Sequence, residues 1–242
     1  MKHKQQFFVE GNIGVGKSTF LRVVQDSLDC QMVFEPHEKW QDINGAGNLL
    51  HHFYEDTKRW AYTFQSYAFI TRVMEQDTRA LNNPNAVQVV ERSVFSDRYC
   101  FAQLATEAGN MNKLEWQIYQ HWFDWLIGAH MDKPAGFIYL RTSPETCLTR
   151  LKKRARSEET GVSLEYLTSL HQKHEDWLIH GKSISDKISD VPVLVLDCDI
   201  DFEHSLIRQT ELIRQITDTF GPVLQRAPAA FPSFSPQVAL QL

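Results

Sequence analysis

The 242-residue chain reads as an α/β protein with a five-stranded parallel sheet flanked by helices, of the P-loop nucleoside triphosphatase type. Three observations predict it. Residues 11–18, Gly-Asn-Ile-Gly-Val-Gly-Lys-Ser, complete a G-x-x-x-x-G-K-[ST] string directly after the apolar run Phe7-Phe8-Val9. Apolar, β-branched runs recur at Phe7–Val9, Met32–Phe34, Val87–Val90, Phe137–Leu140 and Val193–Leu196, each bounded by turn signals. Helical stretches separate these runs, and strands that alternate with helices build parallel sheets.

The first run passes through the glycine-rich string into an amphipathic helix carrying Phe20, Leu21, Val23, Val24 and Leu28. In such a turn the backbone N–H groups of Gly11, Asn12, Ile13, Gly14, Val15 and Gly16 converge on phosphate oxygens. Lys17, Ser18 and Thr19 add the positive end of the helix that follows. Lys17 reaches the β- and γ-phosphates, and Ser18 offers its hydroxyl to Mg²⁺. A nucleoside triphosphate is therefore the expected ligand.

The second run leads into Glu35-Pro36-His37-Glu38-Lys39-Trp40. Ligands of parallel sheets bind at the carboxyl ends of the strands, so Glu35 faces the P-loop across the sheet top. There it can accept a proton from an attacking hydroxyl, a role worth about 10²–10⁴-fold in rate. The third run ends in Glu91-Arg92-Ser93, an acid for Mg²⁺ or its water shell beside a guanidinium for developing phosphate charge. The segments Thr57–Leu81 and Lys113–His130 are long, aromatic-rich and free of proline, and fit pocket walls, plain core or subunit contacts alike. Past the fourth run, Arg150-Leu151-Lys152-Lys153-Arg154-Ala155-Arg156 precedes Ser157-Glu158-Glu159. A solvated helix end explains such a string through the macrodipole; the ATP loop in the same chain favours a short arginine-rich lid over the triphosphate. From Gly221 onward Pro, Ala, Ser and Gln dominate without periodicity. One domain over residues 1–220 and a disordered tail over 221–242 follow.

Composition narrows the function further. A formal net charge of -5 argues against a nucleic-acid polymer as partner. Cys30, Cys100, Cys147 and Cys198 are too far apart for a C-x-x-C motif, so neither a disulfide nor a cysteine metal site is expected. The chain enters its first strand after six residues and has no apolar run long enough to span a bilayer, which together predict a cytoplasmic protein without membrane contact. A GTPase is not indicated: Asn112-Lys113-Leu114-Glu115 opens a helix, and Asp42-Ile43-Asn44-Gly45 does not follow an apolar strand.

These residues resemble the deoxynucleoside kinase family over nearly all of residues 5–220. The landmarks are Glu10-Gly11-Asn12-Ile13, Glu35-Pro36 with Trp40, Tyr54, Arg59-Trp60, Thr63-Phe64-Gln65-Ser66-Tyr67 and Glu91-Arg92-Ser93-Val94-Phe95-Ser96-Asp97-Arg98-Tyr99. They continue through Ser143-Pro144-Glu145-Thr146-Cys147, the lid string, Leu164-Glu165-Tyr166-Leu167 and His174-Glu175-Asp176-Trp177-Leu178. The resemblance implies a nucleoside-kinase-like fold and ATP-dependent phosphorylation of a deoxynucleoside 5′-hydroxyl, with Glu35 as base, Arg92 beside it and Lys17 on the phosphates. Ser18 and Glu91 would serve Mg²⁺. Tyr54 and Glu159 would hold the 3′-hydroxyl and Gln65 the base edge; Trp40, Phe64 and Phe101 would sandwich the base, with Leu50 also in the pocket. Arg150, Arg154 and Arg156 would face the phosphates, and Asp201-Phe202 the adenine of ATP. The trio Ala68, Arg72 and Asp97 is similar to that of deoxycytidine and purine kinases, because an Arg–Asp pair meets amino and carbonyl groups but not a thymine methyl. A structural ion pair away from the base is the competing reading. His37 and Phe53 depart from the family pattern, where Val and Met are usual; both should border the cleft, with His37 either close to Glu35 or facing solvent. Relatives are commonly homodimers, and Trp116–Trp125 fits such a contact or the core. Rival readings are a broad or thymidine-type kinase, a nucleoside monophosphate kinase and an inactive nucleotide-binding module.

Overall fold

Strands that are apolar along their whole length must be covered on both faces, and helices supply that cover. The computed structural model describes residues 5–25, 27–82, 87–129, 131–221 and 224. Among them, β1 (Gln6–Glu10), β2 (Gln31–Val33), β3 (Gln88–Glu91), β4 (Gly136–Arg141) and β5 (Val193–Asp197) form one parallel sheet in the order β2-β3-β1-β4-β5. All five expected strands are present. β2 stops one residue short of the expected Phe34, whose ring instead lies 5.8 Å beneath the Arg22 guanidinium. β1 is central, with β3 and β4 on either side, so the chain order reverses at the tip of β1, where such sheets bind ligands.

Side chains of β1 alternate between two cores. Phe8 joins Val90, Phe95, Phe137 and Tyr139 on one face; Phe7 and Val9 join Val89, Ile138 and Leu140 on the other. The second face is covered by α1 (Lys17–Gln25), α8 (Pro144–Arg154) and α10 (Leu206–Phe220), through residues such as Phe20, Leu151 and Ile216. The first is covered by α4 (Thr57–Asn82) and α7 (Lys113–Ala129), in contact at Phe69 and Tyr119. Both match the predicted spans within one residue, except that His130 lies outside the described residues.

Short elements close the top of the sheet. α2 (His37–Gln41) follows β2, and α3 (Leu49–Glu55) starts where the Asn48 side chain accepts from the His51 N–H. After β3, Ser93 caps α5 (Val94–Ser96), which runs on through a π-helical turn, Asp97–Ala102, into α6 (Gln103–Glu107). Ser143 caps α8 with Pro144 in its first turn, and Ser163 caps α9 (Leu164–His174), which continues as a second π-helical turn, Glu175–Ile179. α8 ends where Ala155 adopts a left-handed conformation, φ 53°. Arg150 and Arg154 are thus helix residues, and the segment expected to form a lid begins only at Ala155, with a 3₁₀ turn over Ser157–Glu159.

Gly14 explains how close α8 comes to the phosphate-binding turn. Its φ is +81°, and a Cβ there would lie 2.6 Å from the Cys147 carbonyl oxygen. Leu224 is buried against the second core, so packing extends past the expected boundary at 220; the remainder of the expected tail lies outside the described residues, as do residues 1–4. Among the described residues no helix is long and apolar enough to cross a membrane.

His174 sits fully buried beneath this framework, stacked on Tyr139, with Nδ1–H donating to the Leu170 carbonyl (2.7 Å) and Nε2 without a partner. Burial, with the Arg92 charge second, lowers its pKa to about 3 from the ordinary 6.5. Between pH 6.5 and about 3 the unfolded chain therefore binds a proton that the folded chain refuses, and stability falls as pH falls. The His174→Asn variant keeps a donor near the Nδ1 position. It is expected to lose this contribution, ~1.4 kcal/mol per pH unit at most, when denaturant midpoints are compared across that window. An unchanged pH slope would refute the assignment.

Candidate active site

Glu35 lies where β2 gives way to α2, beside the ends of β3 and β1. Its Oε1 accepts from Arg72 Nη2 (2.8 Å) and lies 3.4 Å from Arg92 Nε, while Oε2 lies 3.1 Å from His37 Nε2. Burial alone would raise the proton affinity of this carboxyl group; His37, Arg72 and Arg92 outweigh it and hold Glu35 well below the usual range. Arg72 reaches across from α4, and its other hydrogen bonds go to Asp97 Oδ2 through Nε (2.9 Å), Asp97 Oδ1 through Nη2 (3.1 Å) and the Glu91 carbonyl through Nη1 (3.2 Å). The expected Arg–Asp pair exists, at the cavity and not away from it. Its connection to Glu35 was not legible in the sequence.

Arg92 occupies a left-handed conformation at φ 60°, a strain of order 1–3 kcal/mol for a residue with a Cβ. That turn lays its guanidinium 4.7 Å above the Phe101 ring and leaves Nη1 buried without an acceptor. An anion entering the cavity would satisfy a buried cationic donor of this kind.

The phosphate-binding turn opens onto the same cavity through Ile13, Gly14, Gly16, Lys17, Ser18 and Thr19. Lys17 Nζ donates to the carbonyls of Asn12 (2.7 Å) and Gly11 (3.2 Å). Burial, then the nearby Arg92, lowers its pKa to about 7, so an arriving phosphate would restore its full charge. Ser18 Oγ donates to Glu91 Oε1 (2.7 Å), and Glu91 Oε2 accepts the Glu35 N–H (3.3 Å). A hydroxyl and a carboxylate brought together are the hard oxygen donors that a Mg²⁺ ion completes with water and phosphate, and the pair fits that ion. Among the described residues no cluster of three or more His, Cys, Asp or Glu forms a self-sufficient metal cage. Gly11 and Asn12, expected with the phosphate-binding set, border neither this cavity nor the second one; the Asn12 amide turns away to the Leu167 carbonyl (2.8 Å).

Leu50 and Tyr54 from α3, Phe64, Gln65 and Ala68 from α4, Trp40 from α2, and Asp97 and Phe101 from the π-helical turn line the rest, with Glu159 opposite. Phe53 stacks on Phe64 (4.5 Å), and Trp40 meets Phe64 edge-on (5.5 Å) with its Nε1–H on Thr71 Oγ1 (2.9 Å). Gln65 is 2% exposed, and its amide hydrogen-bonds to no other described residue, which leaves it for a ligand. Tyr54 and Glu159 are both in the wall. Arg154 and Arg156 enter the same cavity and contact Glu159 at 2.6 and 3.5 Å.

A second cavity continues beyond the phosphate-binding turn, and Gly14, Gly16, Thr19 and Arg154 line both. Val15, Arg150, Asp201 and Phe202 belong to this second one. Arg150 donates to the Val15 carbonyl (3.1 Å) and the Asp199 carbonyl (3.2 Å), so it stands apart from the first cavity. As site residues, the sequence reading missed Arg22 and Tyr166 in the first cavity and Glu145, Thr146, Thr149, Lys153, Asp199 and Glu203 in the second. For Arg22 the signal was present: it follows Ser18 by one helical turn. Glu10 was also passed over. It is buried with Oε1 on Ser93 Oγ (2.5 Å), and burial pushes it up to about 7.

The arrangement joins two compartments by one phosphate-binding turn. One has space for an uncharged, planar, polar-edged molecule beside an ionised carboxylate; the other extends toward Phe202. A phosphoryl group held at the turn can pass from the second to the first. The chain is similar to known proteins over the same residues. The profile described as deoxynucleoside kinase matches residues 7–220. Deoxycytidine kinase 2 of Gallus gallus is 41% identical, covering 89% of this chain and 90% of its own length. Deoxycytidine kinase of Homo sapiens is 38% identical (87% and 90%), and the mitochondrial deoxyguanosine kinase of Xenopus laevis 39% (86% of each). With its phosphate-binding turn and both cavities inside the matched residues, the chain belongs to the deoxynucleoside kinase family.

Proposed function

We propose that this enzyme transfers the γ-phosphoryl group of ATP to the 5′-hydroxyl of deoxynucleosides, with deoxycytidine and the purine deoxynucleosides favoured over thymidine, giving monophosphates for salvage. The observation that carries this reading is the position of Glu35, an ionised buried carboxylate in one cavity with Lys17 of the phosphate-binding turn. Glu35 accepts the 5′-hydroxyl proton as that oxygen attacks phosphorus, and the bond to the bridging oxygen of ATP breaks to release ADP. Lys17, Arg92, Arg154 and Arg156 neutralise charge on the transferring group. Mg²⁺, when held by Ser18 and Glu91, supplies further neutralisation of the phosphate oxygens. Tyr54 and Glu159 hold the 3′-hydroxyl, a phenol and a carboxylate together meeting one donor–acceptor group. Gln65 pairs with the base edge between Phe64, Trp40 and Phe101. The segment after Ala155 acts as a lid that excludes water, and Glu158 fastens it to the acceptor side by accepting from Gln41 (2.9 Å) and Asn48 (3.0 Å).

The same reading includes a homodimer. Leu114, Ile118, Trp122 and Trp125 line one face of α7, 51% and 54% exposed at the two tryptophans, with Ile70 and Met74 exposed on the adjoining α4. A stripe of this size on paired helices fits a self-complementary contact. Trp122→Glu with Trp125→Glu is expected to convert a dimer to monomer in sedimentation velocity; a monomeric parent protein would refute the contact.

Glu35→Gln is expected to retain ATP and nucleoside binding by calorimetry and lose about 10²–10⁴-fold in turnover. Near-normal turnover would remove Glu35 from the base role. The Arg72→Met, Asp97→Ala pair frees the far edge of the base from fixed polar groups. In a competition assay with four deoxynucleosides, the thymidine share of product is expected to rise. Because Arg72 also holds Glu35, absolute turnover should fall for every substrate. An unchanged share would show that the pair does not choose the base.

A further inference from the structure

The two oxygens of Glu35 are held unequally. Oε1 takes both arginines, whereas Oε2 faces one side chain, the imidazole of His37 at 3.1 Å. A carboxylate gripped at one oxygen retains its freedom about the terminal torsion, which is broad and roughly two-fold for Glu. A donor on the other oxygen removes that freedom.

His37 is built to be that donor. It opens α2 with its own N–H on the Glu35 carbonyl (2.9 Å), and its ring meets Trp40 edge-on at 5.1 Å. Trp40 is in turn fixed by Thr71. The ring is therefore clamped between an anchored indole and the carboxylate. Its Nδ1 is buried and has no partner. An ionised carboxylate oxygen can only accept, so the ring nitrogen 3.1 Å from it carries a hydrogen. The hydrogen-bond network thus assigns the proton to Nε2, pointing at Glu35.

We propose that His37 is a positioning residue for the phosphoryl-transfer step: its Nε2–H fixes the plane of the Glu35 carboxylate so that the remaining lone pair on Oε2 meets the acceptor hydroxyl. The inference rests on Glu35 being the base. His37 does not touch the reacting atoms; it sets the angle at which Glu35 meets them, and small misalignment of a reacting group is costly in rate.

Steady-state kinetics of the full chain with ATP and Mg²⁺ test this with two variants. His37→Phe keeps the ring beside Trp40 but carries no N–H, and His37→Gln places an amide N–H close to the Nε2 position. His37→Phe is expected to lower kcat about tenfold with nucleoside KM changed less than about twofold, and His37→Gln to recover most of the loss. In a Glu35→Gln background, His37→Phe should cost nothing further, since no base remains to be positioned. An unchanged kcat in His37→Phe, a loss confined to KM, or an equal loss in His37→Gln would each overturn the proposal. Near-normal turnover of Glu35→Gln by itself would overturn the base assignment and this inference with it, whereas a dead Glu35→Gln beside a normal His37→Phe overturns only the role of His37.

Discussion

Arg72 is the constraint on which the site is assembled. It is 2% exposed, and one guanidinium from α4 reaches the end of β2 through Glu35, the end of β3 through the Glu91 carbonyl, and the π-helical turn through Asp97. A cation at that depth is tolerated only when anions and carbonyls surround it, and removing one of them leaves an uncompensated charge. The same contacts tie three separately folded segments to one point above the sheet. Together with His37 and Arg92, Arg72 holds Glu35 well below the usual carboxylate range against its own burial, which favours the ionised state a proton acceptor must be in before substrate arrives.

Around that point the backbone departs from regular geometry at two places, and both serve the cavity. The left-handed conformation of Arg92 swings its guanidinium over Phe101 instead of along the strand direction. The π-helical turn widens the helix by a residue where Asp97 and Phe101 line the wall. Internal partners hold other polar groups of the cavity: Lys17 on two carbonyls, Ser18 on Glu91, Arg154 on Glu159. A ligand with phosphates would offer Lys17 and Arg154 anionic acceptors in place of these partners.

How much of this could be read from the sequence depended on how local the determining signal was. The glycine string, the five apolar runs and the acids at the ends of β2 and β3 are local patterns tied to strand ends, and each was found where expected. The exact end of α8 was not, because Ala155 in a left-handed conformation carries no glycine to announce it. The turn of Asn12 away from the cavity depends on α9, 155 residues distant, and no local pattern encodes it. The bond from Arg72 to Glu35 is likewise a contact between residues 37 positions apart. His37 stood out only as a residue type out of place; whether it faced Glu35 or solvent required the turn at Pro36 and the position of Trp40.

Sharing one guanidinium between two carboxylates has a consequence for how such a site can change. Asp97 lies toward the part of the cavity assigned to the base, and Glu35 toward the part assigned to the 5′-oxygen, yet both are held by Nη2 of Arg72, at 3.1 and 2.8 Å. A hydrogen bond to a charged group is worth about 1.5–3 kcal/mol, comparable with the whole discrimination expected between two bases that differ by one polar contact. Neutralising Asp97 would therefore strengthen the pull of Arg72 on Glu35, and losing Arg72 would loosen both. Base preference and proton acceptance cannot be adjusted independently at this position. Phe53, Leu50 and Ala68 line the same cavity without joining this network, and changes there act through shape and volume, not charge.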